Sequence, residues 1–104
     1  MGVLMTTLSV NVTTAGTRVP ISASTLNVYE FEIQAKPANT GTIYLGSVAV
    51  TSTIGRRLSP GGSFSLSSLL DDPGKSKNLL VDLGTINIDS SVSGEGVIVT
   101  YLVR

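Results

Sequence analysis

The segment Tyr29–Lys36, YEFEIQAK, alternates without a break. Tyr29, Phe31, Ile33 and Ala35 fall on one face, and Glu30, Glu32, Gln34 and Lys36 on the other. A period of two puts one row of side chains against a core and the other in water, which is the pattern of a β-strand. At helical spacing the same apolar residues would be scattered around the helix. Short β-branched segments recur along the chain. Val3–Thr13 alternates from Leu8 through Val10 to Val12. Arg18–Ser22 reads as a short strand that Pro20 confines to a sheet edge. Thr42–Leu45 and Val48–Thr51 flank Gly46, and Ser63–Leu66 sets Phe64 and Leu66 on one side. Leu79, Val81 and Leu83 alternate, and Ile86 and Ile88 continue after Gly84. The last segment, Val97–Val103, has Val97, Val99, Tyr101 and Val103 on one face and Ile98 and Leu102 on the other. Apolar residues on both faces predict a strand that is central or covers a subunit contact.

Turn signals separate these segments: Ala15-Gly16, Pro37–Gly41, Ser59-Pro60-Gly61-Gly62, Asp71–Gly74 and Ser93-Gly94-Glu95-Gly96. Proline presets φ at the second position of a turn, and glycine supplies the positive φ that many turns require. Short strands punctuated in this way predict an all-β sandwich or barrel. Only SLSSLLDD, residues 65–72, is compatible with a helical turn. The 104 residues amount to one domain and contain no internal repeat.

Composition narrows the function. The chain has no Cys and no His. That removes thiolate chemistry, Cys-based zinc sites, and the usual general base and metal ligand. Seven basic and seven acidic residues balance to a net charge of zero, without the basic excess of a nucleic-acid binder. Charged residues make up 13% of the chain, about half the usual share, with Ser, Thr and Gly in their place. Low net charge gives little protection against self-association, so the chain is expected to work inside an assembly. No apolar run reaches the roughly 20 residues of a membrane span. The start, MGVLMTTLSV, lacks the parts of a signal peptide; it matches a myristoylation pattern through Gly2 and Thr6, but reads more simply as a strand or arm.

Several stretches call for weighing as sites. NTGTIYLG, residues 39–46, has neither glycine spacing of a phosphate-binding loop, and a strand rather than a helix follows it. Gly41 is expected to serve a turn and Gly46 a bulge or bend. DSSVSGEG, residues 89–96, echoes a calcium loop through Asp89, Ser91, Ser93, Gly94 and Glu95. Serines stand where further carboxylates belong, so a plain turn is expected. Asp71-Asp72 with Lys75 and Lys77, and Arg56-Arg57, read as solvated turn residues. Asn11-Val12-Thr13 satisfies a glycosylation sequon, which has meaning only after eukaryotic secretion. For sugar binding the chain offers no Trp, two Phe and three Tyr. Phe31, Phe64, Tyr29 and Tyr101 are in register with core positions, and only Tyr44 alternates away from Ile43 and Leu45; one Tyr makes a poor sugar platform. No catalytic, cofactor-binding or metal-binding residues are assigned.

The succession NTGTIYLG, LSPGGSFSL and LGTINIDSSVSGEGVIVTYLV resembles a group of small β-sandwich structural proteins of tailed bacteriophages. The matching elements are the hairpin at Asn39–Gly46, the turn at Pro60-Gly61, the strand at Ile88-Asp89 and the turn at Gly94–Val97, within roughly residues 11–103. Gly62, where an acidic residue is expected, and the Asp71–Asn78 loop depart from the pattern. The resemblance implies an all-β, single β-sandwich of jelly-roll type with short hairpins. Residues 1–16 are then an N-terminal strand or arm and 17–104 the sandwich. It also implies a non-enzymatic virion protein on the capsid surface or tail, made in the host cytoplasm, such as a capsid decoration (cement) protein. Its partners would be the major capsid protein or other virion proteins, and a homotrimer is favoured, with no cofactor, nucleic acid or membrane. The N-terminal segment would lend a strand to a neighbour. The alternative is a carbohydrate- or ligand-binding accessory module of a phage tail or surface protein.

Overall fold

The computed structural model describes residues 4–67 and 81–103. Within them the chain is all-β. The strands are β1 (Leu4–Asn11), β2 (Val19–Pro20), β3 (Asn27–Val28), β4 (Glu30–Ala35) and β5 (Ile43–Gly46). They continue as β6 (Arg56–Leu58), β7 (Ser63–Ser67), β8 (Val81–Asp82), β9 (Asn87–Ser90) and β10 (Gly96–Val103), with one 3-10 turn at Leu83–Thr85. All pairings are antiparallel. One sheet has the order β1-β10-β4-β7, a second β2-β9-β5-β6, and β3 pairs with β8.

The alternation read at YEFEIQAK is the burial pattern of β4. Phe31, Ile33 and Ala35 are buried, and Glu32 between them is exposed. Tyr29 lies just before the strand. The register Phe31↔Tyr101, Ile33↔Val99 and Ala35↔Val97 carries the apolar row onto β10. β10 also pairs with β1 along its whole length, from Leu4↔Val103 to Asn11↔Gly96. It is therefore a central strand, one of the two situations its doubly apolar sequence predicts. The second sheet contributes Ile43, Leu45, Leu58 and Ile88 to the same apolar cluster, which Val12, Ile21, Val28 and Leu83 complete. Its outer face carries Tyr44, opposite Asp89 on one side and Arg57 on the other.

Three expectations change in the structure. Val48–Thr51 is a loop, not a strand: Val48 is exposed and only Val50 turns inward. Its backbone closes on itself, with Val50 N–H donating to Ser47 O (3.0 Å) and Thr51 N–H to Ile54 O (2.9 Å). Those local bonds leave no ladder for a neighbour. Arg56 and Arg57 belong to β6 instead of a turn. Of residues 65–72, read as a possible helical turn, 65–67 are in β7 and the remainder lies outside the described residues. Leu79, Asp71-Asp72, Lys75 and Lys77 lie outside them too.

Asp82 fixes the chain where it leaves β8. Its Oδ1 accepts from Gly84 N (2.8 Å) and Leu26 N (2.9 Å), so one carboxylate oxygen closes the 3-10 turn and ties it to the β2–β3 connection. Leu83, held between, is fully buried.

Candidate functional site

The two stretches that invited a ligand-binding reading clasp each other. The turn after β4 delivers Asn39–Gly41 next to the turn between β9 and β10. Glu95 reaches across: one carboxylate oxygen accepts from Thr40 N (2.7 Å) and Thr40 Oγ1 (2.8 Å), the other from Gly41 N (2.9 Å). Buried Asn39 donates from Nδ2 to Gly96 O (2.9 Å). Ser91 Oγ accepts from Thr42 N (2.9 Å), and Ser91 N donates back to Thr42 O (3.0 Å). A side chain at position 41 would run into Ser91 Oγ and lie 2.7 Å from Val92 Cγ2. Glycine there serves close approach of two turns, and the loop amides that could cradle an anion are already taken by Glu95.

This geometry has an electrostatic consequence. The Thr40 N–H holds the Glu95 carboxyl below its ordinary pKa; partial desolvation opposes the effect, while the Gly41 N–H and the Thr40 hydroxyl reinforce it. A carboxylate with a depressed folded-state pKa stabilises the fold fully above its unfolded-state pKa and loses that contribution as pH falls through the folded-state value. Glu95→Gln is therefore expected to lower the melting temperature at neutral pH, with the gap to the wild type closing in acid. Melting curves across a pH series check this, and a gap that persists undiminished at low pH would contradict it.

Asp89 and Glu95, both counted in the calcium-like pattern, serve different partners. Asp89 is 4% exposed, and its Oδ1 accepts from Gly16 N (2.9 Å) and Ser90 N (2.7 Å). Among the described residues, no three Asp, Glu, His or Cys side chains gather as a metal site would require. No helix among them is long and apolar enough to cross a membrane. The sequon Asn11-Val12-Thr13 sits at the end of β1, where Asn11 Oδ1 accepts from Lys36 Nζ (2.8 Å).

Tyr44 and Asp89, opposite each other in the β5–β9 register, stand together at an open cavity of about 390 Å³. Ala15-Gly16 of the β1–β2 connection and Thr51-Ser52 of the β5–β6 loop form its walls, with Ser90 and Ser91 beside Asp89; the Ser90 hydroxyl donates to Val92 O and accepts from Val92 N (2.8 and 3.1 Å). Sequence alternation found the outward Tyr44. It could not bring Asp89 or the walls to Tyr44, because Asp89 lies on β9 and the walls come from the β1–β2 and β5–β6 connections.

No protein-family model, no curated protein and no solved structure matches this chain.

Proposed function

We propose that this chain is a non-enzymatic structural module of a phage particle, a jelly-roll sandwich that decorates or cements the shell. Strand order carries the reading. Numbered one to eight in chain order, the strands of the two larger sheets run 1-8-3-6 and 2-7-4-5. That is the order produced when a long antiparallel hairpin rolls into two facing sheets, as in the double-sheet jelly rolls of viral capsids and lectins. Apolar residues of both sheets meet in one cluster, as a sandwich requires. The matching turns at Asn39–Gly46, Pro60-Gly61 and Gly94–Val97 point the same way.

The mechanism is association through a sheet edge. Edge strands are ordinarily protected by charge, proline or shortness. Here β2 carries Pro20 and β6 carries Arg56 and Arg57, while β7 has five residues. β1 has eight residues, no charge and no proline. Its outer edge can accept a strand from a capsid subunit or a second copy, with main-chain hydrogen bonds supplying the affinity. The N-terminal segment thus offers an edge while remaining in its own sheet. Deleting residues 1–14 would strip the partner from β10 and test folding, not assembly.

Lysine at two exposed β1 positions, Thr7→Lys with Ser9→Lys, is the cleaner probe. Light scattering over a concentration series, followed by mixing with undecorated shells, reads the result. The wild type should self-associate, with a trimer favoured, and bind shells; the double variant should keep its melting temperature and lose both properties. Equal shell binding by the variant would remove the edge mechanism. A monomer that ignores shells would remove the decoration reading.

A further inference from the structure

The cavity at Tyr44 and Asp89 has a chemistry that shell contacts do not use. Three features define it. The first is a half-buried aromatic ring, Tyr44, set outward on the second sheet between Arg57 and Asp89. The second is the Asp89 carboxylate, fixed through Oδ1 by two backbone amides (2.9 and 2.7 Å). Its other oxygen has no hydrogen-bond partner among the described residues, yet no fully enclosed side-chain oxygen among them lacks one, so Oδ2 opens to the cavity. The third is the rim at Thr51, Ser52 and Ser91, where Thr51 Oγ1 and Ser91 Oγ already accept from the Ile54 and Thr42 amides (3.1 and 2.9 Å). Arg57 Nη2 donates to Ser52 O (3.4 Å) and steadies the loop that forms one wall.

Charge and donor count select the ligand class. A buried carboxylate repels anions. A divalent cation would need several more oxygen ligands of charge, and the described carboxylates do not supply them. A carboxylate without a proton is an acceptor only, so its natural partners are ligand O–H groups. An aromatic face offers apolar area at little entropic cost. A neutral molecule with adjacent hydroxyls on one side and a C–H face on the other satisfies all three. The volume, about 390 Å³, falls in the range of small-molecule sites, roughly 300–1,000 Å³. A second cavity of about 450 Å³, bordered by Arg18, Val48 and Asn87, has Gly16 in its lining as well.

We infer that this cavity is a saccharide-binding site, in which Asp89 Oδ2 accepts from adjacent sugar hydroxyls while the Tyr44 ring covers a sugar face. It is independent of the β1 edge, which lies in the other sheet. A module fixed to a shell by one sheet would then present a glycan-binding face on the other.

The test is an amide NMR titration of the ¹⁵N-labelled full chain with glucose, galactose, mannose, N-acetylglucosamine, maltose and lactose. At least one sugar should cause saturable shifts at Gly16, Tyr44, Thr51 and Ser91. Tyr44→Ala should weaken that binding by about ten-fold or more, while Tyr44→Phe, which keeps the ring, should retain it. Asp89→Asn keeps an oxygen for the Gly16 and Ser90 amides but turns an acceptor into a donor; it should also weaken binding while leaving core resonances in place. Three outcomes overturn the inference: no saturable shift with any sugar, shifts confined to the β1 sheet, or affinities unchanged in both Tyr44→Ala and Asp89→Asn.

Discussion

Gly96→Val is expected to loosen β1 from its sheet and to be among the most destabilising single changes in the chain. Gly96 opens β10 directly opposite Asn11, the last residue of β1. A Cβ at this position would run into the Val10 carbonyl oxygen and come within 2.7 Å of Asn11 Cα. Both are backbone atoms of a paired strand, so neither can swing aside as a long side chain would. Gly96 O meanwhile accepts from Lys36 N (3.1 Å) and Asn39 Nδ2 (2.9 Å), which ties β10 to the turn after β4. Forcing the strands apart strains both connections. Overpacking in a tight site costs about 1–3 kcal/mol and sometimes more, and an unyielding backbone neighbour places this case at about 3 kcal/mol or above. At about 4–8 °C per kcal/mol for a domain near this size, melting should fall by at least about 12 °C. Hydrogen exchange should show β1 amides losing protection before those of β4. A melting temperature within about 4 °C of the wild type would mean that the two strands do not approach as described.

Ile33→Ala tests the core from the other direction. Ile33 is fully buried at the middle of β4, paired with Val99 on one side and Phe64 on the other. Phe31 and Phe64 pack nearby with ring centroids 6.1 Å apart, and Arg56 lies over Phe64 at 5.1 Å, linking the far edge of one sheet to the other. Truncating a buried isoleucine costs about 2–5 kcal/mol, the spread reflecting how far the surroundings collapse. Neighbours held in two antiparallel ladders can relax little, so about 3–4 kcal/mol is expected. Urea unfolding should show a lower midpoint with an unchanged slope, since the surface exposed on unfolding is nearly the same. A loss under about 1 kcal/mol would place Ile33 outside the shared core.

Where adjacent residues carry the information, the sequence was readable. YEFEIQAK gave β4 because alternation is a property of neighbours, and IYL after Asn39-Thr40-Gly41 gave both β5 and the outward direction of Tyr44. Composition misled at Val48–Thr51. Its β-branched residues favour a strand, but that preference is weak against context, and local hydrogen bonds at Ser47–Val50 and Thr51–Ile54 settled it as a loop. Arg56 and Arg57 looked like turn residues because charge suggests solvent; an edge strand satisfies that preference too. The Glu95 clasp left no local trace, since Glu95 and Thr40 are distant in sequence and nothing around either residue names the other.

The sequence by itself determined the β character, the positions of the principal turns, the inward face of β4 and β10, and the absence of thiol and imidazole chemistry. These depend on backbone periodicity, turn stereochemistry and residue inventory, each complete within a few neighbouring residues or a simple count. Tertiary structure alone decided that β1 pairs with β10, that Glu95 closes the turn at Thr40-Gly41, and that Tyr44 and Asp89 share a cavity walled by separate loops. Those outcomes rest on register between strands far apart in the chain. A shift of one residue in pairing would turn every side chain of a strand to the opposite face, and only packing of the whole core selects among the registers.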